Sequence, residues 1–84
     1  MAYTVILKRS AEKELDRLQQ DVHRRITKKL VELEDDPRPP GMKRLQGSDG
    51  YRIRVGDWRI LYVVNDETKT VEVVAVGRRR EVYR

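Results

Sequence analysis

The 84-residue sequence contains no cysteine and no phenylalanine, and only one histidine, one tryptophan and three prolines. Without cysteine there is no disulfide framework, no thiolate nucleophile and no cysteine-based zinc site, and a reducing cytoplasm is the natural setting. The lone histidine, His23, has no neighbours that would complete a metal site, so it reads as an exposed helix residue. No run approaches the ~20 apolar residues of a membrane span, and the opening Tyr3-Thr4-Val5 leads into Lys8 and Arg9 without a signal-peptide core. The expectation is a soluble cytoplasmic protein without a membrane role. A serine–histidine–aspartate set is absent, and Gly47-Ser48-Asp49-Gly50 lacks the Lys-Ser/Thr and helix that would make it a phosphate loop.

What is present is positive charge, unevenly placed. Lysine and arginine number 19 against 14 acidic residues, a net charge of +5. Residues 1–42 are nearly balanced, with 9 basic and 8 acidic side chains, whereas residues 43–84 hold 10 and 6. That excess falls in strand-like segments: Tyr51-Arg52-Ile53-Arg54-Val55, Trp58-Arg59-Ile60-Leu61-Tyr62 and Val76-Gly77-Arg78-Arg79-Arg80-Glu81-Val82-Tyr83. Successive strand residues point to opposite faces, so Arg52 and Arg54 share one face while Tyr51, Ile53 and Val55 take the core side. Arg59 likewise faces away from Trp58, Ile60 and Tyr62, which read as core. Guanidinium groups are planar forks of donors suited to phosphate, and RNA or another polyanion is the implied partner. The bland reading of the same arginines is a solvated strand face.

Length bounds the chain to one small domain over 1–84. Tyr3 to Lys8 alternates as a first strand. Ser10 offers a helix N-cap ahead of Ala11, Leu15 and Leu18 at helical spacing. Gln19-Gln20-Asp21 supplies a turn, and Val22, Ile26, Leu30 and Leu33 mark a second helix ending near Asp35. Asp36-Pro37-Arg38-Pro39-Pro40-Gly41 cannot continue a helix and forms the long loop. Strands at 51–55, 58–64 and 70–76 are joined by short turns and pair as an antiparallel meander. The expected fold class is α+β, in the order β-α-α-β-β-β, with a helical hairpin packed on a small antiparallel sheet.

With that layout, the Leu45-Gln46-Gly47 segment, the Tyr-Arg-Ile-Arg strand, the Asp57-Trp58-Arg59-Ile60-Leu61-Tyr62 strand and the closing Val-Gly-x-Arg-Arg-Glu-Val-Tyr resemble the RelE branch of the RelE/ParE toxin superfamily. The resemblance covers nearly the whole chain. It implies the toxin of a type II toxin–antitoxin pair, a ribosome-dependent endoribonuclease that cuts mRNA in the ribosomal A site. It further implies no metal or organic cofactor, and a small acidic antitoxin that wraps and neutralises the toxin. By position, the implied catalytic group is Arg52, Arg54, Arg59, Arg79 and Tyr83. The neighbouring cations Lys43, Arg44, Arg78 and Arg80 are candidates for holding the RNA backbone, and Asp57 and Glu81 for orienting guanidinium groups.

Two departures from the family pattern bear on mechanism. Positions 52 and 54 are lysine in the best-known type of member and arginine here, and position 78 is often histidine. Arginine stabilises phosphoryl charge but, with a pKa above about 12, cannot take a proton near neutrality, which leaves Tyr83 as the candidate for proton transfer or base stacking. Two other readings stay open: a ParE-like toxin of the same fold that inhibits DNA gyrase, and an RNA- or ribosome-binding module without turnover.

Overall fold

A computed structural model describes residues 2–45 and 50–78. Gln46 to Asp49 and 79–84, which include Arg79, Arg80, Glu81 and Tyr83, lie outside the described residues, as does Met1.

The chain starts with β1 (Thr4–Leu7), which runs straight into α1 (Arg9–Asp16). The expected cap at Ser10 is not used: the helix starts one residue earlier and its N-cap is Lys8, without a side-chain cap bond. The cause is tertiary. The Lys8 amide donates to the Val73 carbonyl at 2.9 Å, which keeps Lys8 extended, and its own carbonyl accepts the first helical bond from Glu12 at 2.9 Å. Leu18 follows the helix, half-buried, in the turn to α2 (Gln20–Asp35). Ile26, Leu30 and Leu33 lie on the buried stripe of α2, as their spacing requires.

After the proline loop come β2 (Lys43–Arg44), β3 (Gly50–Val55), β4 (Trp58–Asn65) and β5 (Thr70–Arg78). The sheet order is β1-β5-β4-β3-β2. The meander is antiparallel as expected, but β1 pairs with β5 in parallel, Thr4 opposite Thr70 through Leu7 opposite Val73, so the sheet is mixed. The two helices carry the chain from β1 to β2 at the opposite edge of the sheet, and the antiparallel meander brings it back to β5 beside β1. The two-residue β2 is an added edge strand, with Lys43 opposite Arg52 and Arg44 opposite Tyr51.

One face of the sheet carries the core. Ile53, Ile60, Tyr62, Val71, Val73 and Val76 meet Ala11, Leu15, Ile26, Leu30 and Leu33 of the helices. Each fully buried aliphatic side chain here is worth roughly 1.5–3 kcal/mol over exposure. Beyond Leu7, α1 lies against the outer edge of β5: Glu14 Oε1 accepts the Val76 amide at 3.0 Å. Neither α1 nor α2 packs on the opposite face, and it is there that the strand cations emerge.

Candidate phosphate-binding face

The β3–β4 turn fixes which residues meet on the open face. Gly56 has φ +63 and Asp57 does not enter the positive region, the pattern of a type II′ two-residue hairpin. Val55 therefore pairs with Trp58, Arg54 with Arg59, Ile53 with Ile60 and Arg52 with Leu61. Since Ile53 and Ile60 point into the core, Arg52, Arg54 and Arg59 all project from the other side. Lys43, opposite Arg52 on β2, joins them.

Two adjoining cavities record this convergence. One of about 290 Å³ is lined by Gly41, Lys43, Arg52 and Arg54. The other, of about 210 Å³, is lined by Arg54, Gly56, Asp57 and Arg59. Arg54 lines both. The lining cations are held on strands, which makes their spacing a property of the sheet.

Arg59 departs from the simple picture of a solvated strand face. It is only 2% exposed, and its Nε is sealed from solvent. Its partner across β4 and β5 is Gly77, itself buried. A glycine there presents no side chain opposite Arg59. Desolvating a guanidinium is costly unless its surroundings compensate. A buried cation at the bottom of a polar cavity is also where an entering anion gains most, because screening by water is weakest there.

Arg44 and Arg78 do not join the group. Arg44 is opposite Tyr51, and Tyr51 is opposite Tyr62, so Arg44 belongs to the helix-side face. Arg78 pairs with Trp58, and its guanidinium lies 5.4 Å from the Trp58 ring centroid, a cation–π contact. Trp58 is half-buried beneath it. His23 is half-buried on α2, with Nδ1 3.4 Å from the Thr27 hydroxyl. Among the described residues no three His, Asp or Glu side chains gather where they could hold a metal ion, and no helix is long and apolar enough to cross a membrane.

On the helix-side face lies a polar network centred on Arg38 of the proline loop. Arg38 donates through its two terminal nitrogens to the two oxygens of Asp66, at 3.2 and 2.9 Å, and through Nε to the Tyr51 hydroxyl at 3.1 Å. Tyr3 donates its hydroxyl to Asp66 Oδ1 at 2.6 Å. Tyr62, fully buried and stacked on Tyr51 at 5.7 Å, donates to the Pro37 carbonyl at 2.8 Å. The Arg38 hydrogen bonds, with that of Tyr3, hold the Asp66 carboxyl down to about 2. The bonds to Asp66 and Tyr51 in turn raise Arg38 above its ordinary value. Burial pushes the Tyr62 phenol up to about 12. The one local signal for this network is an arginine held between prolines.

Comparison with known proteins gives this face a context. A family model described as the ParE toxin of the type II toxin–antitoxin system, parDE, matches residues 5–83. The mRNA interferase toxin RelE of Escherichia coli is 37% identical over 87 residues, covering 99% of this chain and 92% of the relative. Among solved structures, the intact E. coli RelBE toxin–antitoxin complex matches with a TM-score of 0.82 at 36% identity, over 92% of this chain and 96% of that chain. The archaeal RelE–RelB complex from Pyrococcus horikoshii matches with a TM-score of 0.85 at 30% identity, over 94% and 97%.

Proposed function

The chain belongs to the RelE/ParE family of type II toxin–antitoxin toxins, and on that premise we propose that it is a RelE-type, metal-independent endoribonuclease that cuts mRNA on the ribosome. The observation that carries this reading is the pair of like-charge contacts side by side on one sheet face. Lys43 is opposite Arg52, and Arg54 is opposite Arg59. Like charges directly opposite across an antiparallel pair destabilise it. An anion bound at the two cavities would relieve both repulsions, and a phosphodiester backbone is an anion that arginine forks hold well.

The chemistry follows from the residue types. The ribose 2′-oxygen attacks the adjacent phosphorus and gives up its proton, and the bond to the 5′-oxygen breaks as that oxygen gains one. The products are a 2′,3′-cyclic phosphate and a 5′-hydroxyl. Arg52, Arg54 and Arg59 hold the phosphate and stabilise the added charge of the pentavalent transition state. Lys43 draws in the flanking backbone. Arginine does not move protons near neutrality. The proton-transfer role therefore goes to Tyr83, with Arg79 as a further phosphate ligand, both on the family pattern. Arg44 and Arg78, on the helix-side face, are assigned contacts outside the cleavage groove, and Arg80 remains with the backbone contacts. The partners are mRNA, the ribosome and an acidic antitoxin that covers the cationic face. Cytoplasmic residence fits all three partners and the lack of cysteine.

A second reading rests on the matching family model, whose description is that of a ParE toxin. Inhibition of gyrase, however, makes no use of converging phosphate ligands. Primer extension on a defined mRNA in programmed ribosomes separates the two. A cut within the A-site codon, lost in Arg54→Ala, is expected. Intact mRNA together with gyrase inhibition would favour the second reading, and intact mRNA with ribosome binding alone would favour the module without turnover.

A further inference from the structure

The groove's outer wall is the weakest element of the sheet. β2 has two residues and, among the described residues, pairs with β3 alone, too short a ladder to hold its own place. Yet Lys43 must stand beside Arg52 for the 290 Å³ cavity to exist. Something other than β2 must hold it there, and the segment leading into it is gripped firmly. Arg38, five positions before Lys43, spends all three guanidinium nitrogens on Asp66 and Tyr51. Asp36 Oδ1 accepts the Arg38 amide at 3.1 Å, and Tyr62 holds the Pro37 carbonyl. Pro37, Pro39 and Pro40 restrict the remaining backbone.

The grip engages β3 at Tyr51, next to Arg52, but on the opposite face. The loop thus wraps the sheet edge, tied on the helix side and delivering Lys43 to the open side. The Arg38–Asp66 pair is partly exposed, 37% and 55% at the side chains. Pairs so exposed add little stability, so what the bidentate geometry supplies is position. We propose that Arg38, through Asp66 and Tyr51, is a positioning residue for the phosphate groove: it holds β2 in register so that Lys43 completes the wall formed by Arg52 and Arg54. This rests on the groove being the RNA site.

The test compares wild type, Arg38→Ala, Lys43→Ala and the double variant in two assays. The first needs no activity. Leu45 donates its amide to the Gly50 carbonyl at 2.8 Å, which makes Arg44 and Tyr51 the adjacent non-hydrogen-bonded pair, with close Hα atoms. Their cross-strand nuclear Overhauser effect should be lost in Arg38→Ala. In ribosome-dependent cleavage, Arg38→Ala and Lys43→Ala should each raise KM about 3–10-fold with a smaller change in kcat, as expected when a backbone phosphate contact made equally in the ground and transition states is lost. The double variant should be no worse than Arg38→Ala, because Lys43 is already displaced. Multiplying effects, or an intact Arg44–Tyr51 contact in Arg38→Ala, would overturn the proposal. If Arg38→Ala does not fold, Asp66→Asn poses the same question. If wild type cleaves nothing while Arg38→Ala still loses the contact, the nuclease reading fails and the positioning role stands.

Discussion

Arg54 and Arg59 stand directly opposite each other across β3 and β4, on the face of the sheet turned away from α1 and α2. Like charges in that register repel each other, and a bound anion would relieve the repulsion. Arg54→Thr should therefore raise stability by roughly 0.2–1 kcal/mol, the scale of one cross-strand pair. The same change should lower kcat/KM for cleavage by about 10²-fold, the usual cost of losing one donor to a developing charge. Urea denaturation and single-turnover cleavage read the two effects on one sample. A variant that lost stability would show that the pair is held by something other than a bound anion.

Salt dependence distinguishes the two faces. Each phosphate contact on a single strand contributes about 0.7 to the slope of log K against log salt. Arg52→Gln and Lys43→Gln should each flatten that slope by about this amount when binding to a short RNA is titrated at several salt concentrations. Arg44→Gln, opposite Tyr51 on the helix-side face, should flatten it less. Equal effects at all three positions would place the RNA across the edge of the sheet and not along the open face.

The cationic face was legible because a period of two is local. Once Ile53 and Ile60 are core, Arg52, Arg54 and Arg59 must share the other side. The burial of Arg59 was not legible, because the local alternation that turns it away from Ile60 says nothing of what surrounds it on that face. The parallel placement of β1 was hidden for the same reason, since Thr4 and Thr70 meet across most of the chain. Ser10 has good cap chemistry but lost to a backbone bond between Lys8 and Val73. Arg38 and Asp66 lie 28 positions apart with no spacing rule to join them.

Acid should loosen the loop before it unfolds the core. Asp66 is held down to about 2 by Arg38 and Tyr3, against about 3.9 for a free aspartate. A depressed carboxyl contributes stability that is present above the unfolded value and is lost as pH falls toward the folded one. The Asp66 contribution should thus be constant above pH ~5 and fade between about 4 and 2. Asp66→Asn should flatten that part of the stability profile, measured by urea denaturation at stepped pH. An unchanged acid limb would assign the loss to other carboxylates.

Alkali should act through Tyr62. Its phenol is pushed up to about 12 by burial, from about 10 in an unfolded chain. A group whose folded pKa is raised contributes stability below the unfolded value, and that contribution disappears as pH rises through the folded one. Between about pH 10 and 12 the unfolded phenol ionises while the folded one keeps its proton to bond Pro37, so the native state weakens steadily. Tyr62→Phe should abolish this alkaline limb. At neutral pH it should cost about 1–3 kcal/mol, because the buried Pro37 carbonyl loses its donor. If the Phe variant were as stable as wild type at pH 7, water would have to reach that carbonyl, and the contact could not be fixing the start of the proline loop. Guanidinium denaturation of the two proteins at pH 7 and pH 11 decides both points.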